Sequence, residues 1–348
     1  MLAALLIGAG MGFIMLPVLL RPRRHSHSRE IRKLIDGILP HLPPVKPESA
    51  PFNLRFAGIG ILFLSLGVGL MGLDKPTASF NGLLQLFVLI FISLGTVVML
   101  LPILITFSIW RRVQEACDRG DYSEAVRIAR RLNFFSVGSM LYQQASILLF
   151  AGHYDKAEQL FMEALAGEIT TLESPVISMA NLAWIMTRQK RYEEAEAVLH
   201  TALEVHELTT GEIETVYSNL AEVYLYQGIQ PEEALRLAQM AYQAKKRSTV
   251  GSQVDRQMWG HILGNQAWAL ALLGQFPEAE KTLQAAFKES DPNFAPGYAG
   301  VYYRAGRVKL LEGSYKEAQI HFETAVEIAP HSAYAQLSRQ ALEELLPA

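Results

Sequence analysis

The sequence predicts an all-α chain in which three transmembrane helices are followed by an α-solenoid of about six helix hairpins. Three observations lead there. Long uncharged runs are confined to the first third, charge changes sharply near residue 110, and a helical motif recurs through the remaining two thirds. The formal net charge of the 348 residues is only -3, yet residues 1–112 carry 11 Lys and Arg against 4 Asp and Glu, whereas residues 113–348 carry 20 against 30. A basic, apolar third joined to an acidic remainder speaks against a wholly soluble chain and against nucleic acid as the partner of the acidic part. The single cysteine, Cys117, excludes an intrachain disulfide and a cysteine-built zinc cluster.

The uncharged runs are residues 1–20, 56–73 and 83–110. A bilayer core about 30 Å thick takes about 20 helical residues, so each is long enough to span. The third exceeds the need and is expected to tilt or to kink at Pro102. Positive charge follows the first run, in RPRRHSHSREIRK, and no small-residue cleavage pattern is present, so a retained anchor is expected rather than a signal peptide. The loop 21–55 holds eight Lys and Arg, from Arg21 to Arg55, and the loop 74–82 holds only Lys75. That asymmetry puts the N-terminus outside, loop 21–55 in the cytoplasm, and everything after residue 110 in the cytoplasm. Within 29–39, Ile31, Leu34, Ile35, Ile38 and Leu39 form one helical stripe beside Arg29, Arg32 and Lys33, a pattern that fits either the inner membrane surface or a contact with the following domain. The membrane anchor is thus 1–110.

Beyond it, GDYSEAVRIARRL (120–132), GHYDKAEQLFMEAL (152–165), KRYEEAEAVLHTAL (190–203), GIQPEEALRLAQMAY (228–242), GQFPEAEKTLQAAF (274–287) and GSYKEAQIHFETAV (313–326) repeat one pattern. Their alanines, Ala125, Ala157, Ala195, Ala234, Ala279 and Ala318, are 32, 38, 39, 45 and 39 residues apart. Each block follows a second apolar-periodic stretch, so the unit is two antiparallel helices. Gly120, Gly152, Gly228, Gly274 and Gly313 stand where the first helix must end in a left-handed residue. Tyr122, Tyr154, Tyr192, Phe276 and Tyr315 are expected to wedge into the hairpin corner. The alanines, with Ala145, Ala183, Ala221, Ala267 and Gly306 on the facing helices, let the pair cross closely. No unit buries its apolar face alone, so neighbours must stack.

This array resembles the tetratricopeptide repeat (TPR) family, with about six units over residues 107–330. The last unit carries Gly306, Gly313, Tyr315, Ala318, Phe322, Ala325 and Pro330 at family positions. Most spacings exceed the family's 34 residues, and ANLAWIM (180–186) and SNLAEVY (218–224) are similar to the kinesin-light-chain type of repeat. The solenoid is assigned to 111–348, with 331–346 as a helix that caps the last unit.

No catalytic motif is present: no phosphate-binding loop, nucleophile elbow or H-E-x-x-H. His25 and His27 lie among arginines that repel a metal ion, and Cys117 is expected to be a small buried hydrophobe. Glu193, Glu194, Glu232 and Glu233 suit helix starts, and Lys245, Lys246 and Arg247 suit a solvated helix end. No enzyme, cofactor, metal or small-molecule substrate is expected.

The resemblance implies that the first helices line a concave groove. Asn181, Asn219 and Asn265 recur there in register, either to pair with the backbone of a bound peptide or to bond one repeat to the next. Trp184, Glu222 and Trp268 follow one turn later, with Tyr142 and Tyr303 nearby, as partner anchors or as packing between units. Arg304 and Arg307 are expected either to be solvated or to meet an acidic end of the ligand, with solvation favoured. The function expected is that of a membrane-anchored scaffold or assembly factor holding a peptide or helix of a protein partner, with basic segments favoured by the acidic array. The rival reading is a regulatory subunit of an oligomeric transport or channel complex. Opposite charge leaves open whether the chain's own loop 21–55 fills the groove.

Overall fold

In the computed structural model the described residues are 121–129, 137–166, 174–205, 207–247 and 253–345, with scattered positions between 90 and 119. They form helices α1 (Tyr122–Ala129), α2 (Val137–Phe150), α3 (Tyr154–Ala166), α4 (Pro175–Arg188), α5 (Tyr192–Leu203), α6 (Thr210–Gln227), α7 (Pro231–Arg247), α8 (Gln253–Leu272), α9 (Phe276–Glu289), α10 (Ala295–Glu312), α11 (Tyr315–Ile328) and α12 (Ala333–Leu345). Pairs α2/α3, α4/α5, α6/α7, α8/α9 and α10/α11 are antiparallel hairpins, and α1 is the second helix of the unit before them. The runs 1–20 and 56–73, loop 21–55 and most of 83–110 lie outside the described residues. Among the described residues, no helix is long and apolar enough to cross a membrane.

The hairpins close as their residues dictate. Gly152, Gly228, Gly274 and Gly313 take φ of 76°, 69°, 73° and 83°, the left-handed region that glycine enters without strain. The third unit has Lys190 at φ 61° instead, with the same return of backbone N–H groups to the preceding carbonyls. The six repeat alanines are fully buried. At Gly306 a Cβ would stand 2.5 Å from Cε1 of Phe322, so only glycine lets α10 and α11 approach this closely. Helix starts are also specified locally. Ser174 accepts from the backbone of Val176 ahead of Pro175, and Thr209 with Glu212 forms a capping box. Ser174 Oγ also donates to Glu212, tying the starts of α4 and α6.

Tyr154 reaches across to Trp184 and Tyr192 to the carbonyl of Tyr226, so these two corner aromatics tie their units to the next. Tyr315 departs from the expected wedge and is 63% exposed. Among the described residues only α12 follows its unit.

The capping segment is helical as expected but does more than cover the last unit. Helix α12 packs on α10 and α11, and its other side crosses to the first units. The Tyr122 hydroxyl donates to the carbonyl of His331 at 2.7 Å, and Gln336 Nε2 donates to the carbonyl of Ala151 at 2.9 Å. Phe150, at the end of α2, meets Phe294, just before α10, with ring centroids 5.9 Å apart. The two ends of the described array are therefore joined across its concave side.

Candidate functional site

Four first helices, α4, α6, α8 and α10, converge on Glu222 at the centre of that concave side. Glu222 Oε1 accepts from Arg188 Nη2 at 2.6 Å and from Arg304 Nη2 at 2.9 Å, and Oε2 lies 3.4 Å from His261 Nε2. Both arginine side chains and the carboxylate are 1% exposed. Arg304 is held from several directions: its Nε donates to Asn265 Oδ1 at 2.7 Å, Nη1 to the carbonyl of Gly300 at 3.0 Å, and Nη2 to the Tyr334 hydroxyl at 3.2 Å. Space for it comes from Gly264, where a Cβ would sit 2.5 Å from Arg304 Cδ. Gly300 in the same way makes room for the Tyr334 ring. Arg188 is sandwiched by Trp184 and Tyr226, its guanidinium carbon 4.2 and 4.0 Å from their centroids, a desolvated cation–π stack.

Burial alone would raise the Glu222 carboxyl, but Arg188, Arg304 and His261 outweigh it and hold the group well below the usual carboxylate range. Burial, with Arg304 beside it, lowers His261, against the pull of Glu222. Burial pushes the Tyr154 hydroxyl up to about 12. With His261 neutral, two guanidiniums face one carboxylate, so the cluster carries a net positive charge inside an otherwise acidic array. Pairs this deeply buried contribute little net stability, yet removing one partner is costly, because the other is left charged and dry. The arrangement therefore fixes four units in one register and presents a cationic floor to whatever lies above it.

Of the expected contact residues, only Tyr142 and Asn181 remain half-buried, with Asn181 Nδ2 3.5 Å from the Tyr142 hydroxyl. Asn219 Nδ2 donates to the carbonyl of Ala180 at 2.8 Å and Asn265 Nδ2 to that of Ser218 at 3.1 Å. Those two asparagines bond successive units to one another. Trp184, Glu222, Trp268 and Tyr303 are buried, with the three rings in edge or tilted contacts that run on to Tyr334. Two charges expected in solvent are not there. Arg304 belongs to the central cluster, and Lys245 is 3% exposed with its Nζ 3.3 Å from Glu214. In both cases the carboxylate partner comes from another helix. Among the described residues the element above the cluster is α12, and loop 21–55 lies outside the described residues. Tyr334 marks it: the ring is 5.1 Å from the Arg304 guanidinium and 5.9 Å from that of Arg188. Nothing in the pattern of 331–346 singled out this tyrosine.

Two family models described as tetratricopeptide repeat match the chain, one over residues 175–247 and the other over 142–206 and 265–333. The chain belongs to the tetratricopeptide-repeat proteins. Together these matches cover most of α2, all of α3 to α7, the end of α8, and all of α9 to α11. No curated protein sequence matches. Among solved structures, the TPR protein is similar to the Cut9–Hcn1 hetero-tetramer of the APC/C, at 13% identity and a TM-score of 0.43 over 95% of this chain and 47% of that one. It thus spans about half the length of that relative. It is also similar to BtubC (BKLC) from P. vanneervenii, at 19% identity and a TM-score of 0.38 over 69% of this chain and 94% of the other. A tetratricopeptide repeat protein from Parabacteroides merdae matches at 16% identity and a TM-score of 0.35, over 69% and 98%.

Proposed function

We propose that the chain is a membrane-anchored, non-enzymatic scaffold or assembly factor whose TPR array captures a peptide or helix of a protein partner. The observation that carries this is the joining of one TPR array, rich in acidic residues, to three long uncharged runs within a single chain. The runs 1–20, 56–73 and 83–110 have the length a bilayer demands. The eight Lys and Arg of loop 21–55 favour a cytoplasmic array. Anchoring raises the local concentration of a partner at the membrane without any added contact. The acidic exterior favours a partner with basic surroundings, and Tyr142 and Asn181 are the groove residues such a partner reaches first.

The test is affinity purification of the tagged full chain from detergent-extracted membranes of its native host, beside a reporter fused at residue 348 that is active on only one side of the membrane. Expected are recovery from the membrane fraction, reporter activity on the cytoplasmic side, and a protein co-purifying in constant ratio. Recovery of the chain in the soluble fraction, or of the chain free of any constant companion, overturns the reading.

A further inference from the structure

The element that fills the concave side of the array is a helix of the chain itself, and its fit is specific but incomplete. Tyr334 stands between Ala333 and Ala335, and all three are buried. Ser338 and Ala341, one and two turns on, are buried too. Small residues on both sides of the tyrosine let the helix sink until the ring meets Trp184 and Tyr303, at centroid distances of 6.1 and 6.0 Å, and the ring plane of Tyr334 lies against Gly300. The floor beneath is the positively charged cluster. A tyrosine suits it twice over, because the ring face attracts the guanidiniums and the hydroxyl accepts from Arg304.

The seat is not fully satisfied. Among the described residues, Nε and Nη1 of buried Arg188 find no hydrogen-bond partner. Each such group is held away from water with nothing in exchange. An occupant that supplies an acceptor there holds the seat more tightly than α12 does. The link across to the first units is correspondingly thin, with the side-chain hydrogen bonds from Tyr122 and Gln336 as its direct polar ties.

We propose that the concave seat of α12 is the partner-binding site of this chain. Its ligand is a partner helix that presents a tyrosine between two small residues, and α12 occupies the seat until that helix displaces it. This rests on the reading of the array as a partner-binding scaffold and names the chemistry of the partner. It makes the resting chain self-occupied, so that capture requires exchange of one Tyr-bearing helix for another.

The probe is a fluorescent synthetic peptide of residues 331–345, titrated into purified full chain in detergent micelles. The expected result is that a Tyr334→Ala chain binds the peptide at least about ten-fold more tightly than the unaltered chain, while a peptide carrying the same change binds neither. A Tyr334→Ala chain that keeps its helical content and cooperative melt yet binds the peptide no better than the unaltered chain overturns the proposal. Should that variant not fold, Gln336→Ala decides in its place. That change leaves Tyr334 and the packing on α10 and α11 intact and cuts only the tie to Ala151, with a gain of about three-fold expected and none overturning. The outcome is separable from that of the scaffold reading. Peptide exchange with no partner recovered from membranes keeps the seat and sinks the scaffold, whereas a partner recovered equally by both chains, without peptide exchange, does the reverse.

Discussion

Replacing Asn265 with alanine removes two buried hydrogen bonds at once, one to the carbonyl of Ser218 and one from the Nε of Arg304, which is left without an acceptor. Both are enclosed, so water does not substitute, and the cost expected is about 3 kcal/mol. For an array of this size that lowers the melting temperature by about 6–12 °C. Asn181→Ala, at a half-buried position with a single long contact to Tyr142, should cost less than about 1 kcal/mol. Melts of the two purified variants side by side check this, and equal losses would refute it. His261 supplies a pH dependence. Burial and Arg304 keep it deprotonated in the folded chain below its ordinary value of about 6.5, whereas in the unfolded chain it takes up a proton there. The unfolded state therefore binds more protons as pH falls below about 6.5, and stability falls with it. His321, lowered by burial and by Lys309, acts in the same direction. Glu222 does not contribute in that window, because its lowered carboxyl gives up stability only in much stronger acid. Melting temperatures measured from pH 7.5 to 5.5 should drop, and His261→Gln should make the slope shallower without abolishing it. An unchanged slope would show that His261 is protonated in the fold.

At the scale of the helix hairpin, close approach is decided by a few small residues, and two glycines test it in opposite directions. Gly306→Ala places a methyl group 2.5 Å from the buried Phe322 ring, which has nowhere to go. Overpacking outweighs the better helix propensity of alanine, and a net loss of about 1–2 kcal/mol is expected. Gly211→Ala, in the first turn of α6, meets nothing within 4 Å and should stabilise by about 0.5–1 kcal/mol. Denaturation midpoints of the two variants read both signs in one experiment. These hairpins were legible in the sequence because the contacts that make them are local: Ala279 meets its partner helix within one unit, and Gly274 turns the chain between the two. The charges were not. Arg304 finds Glu222 82 residues away, and Lys245 finds Glu214 31 residues away. No spacing rule within a helix predicts such pairs, because they depend on how successive units rotate against one another. The asparagines were half-legible: their shared register showed that they act alike, while the choice between a ligand and a neighbouring repeat rested on how far apart the backbones stand. Tyr334 was hidden for a further reason, since a capping helix is expected to bury one face and this one buries two.

The whole array behaves differently from an open solenoid if its ends are joined. In an open array each unit touches only its neighbours, so loosening the last element is felt by the one before it and fades along the chain. Here Tyr122 and Ala151 in the first units bond to the segment 331–336 at the other end, across separations of 209 and 185 residues. Loosening α12 should therefore raise fluctuations in α2 and α3, which its bond to Ala151 joins to it, before it reaches α6 and α7. Gln336→Ala removes one of those bonds, worth about 1 kcal/mol net. Amide exchange in 141–165 should then quicken by about five-fold, beside that of α12 itself, with little change in 210–247. Hydrogen–deuterium exchange followed by peptide mass analysis on the purified full chain reads this directly. If the faster exchange is confined to α10, α11 and α12, the two ends act independently and the array is open. If α2 and α3 respond with α12, closure is a property of the molecule in solution. A partner that displaces α12 then loosens the first units of the array as it binds, which couples occupancy of the groove to the end of the array that follows the uncharged runs in sequence.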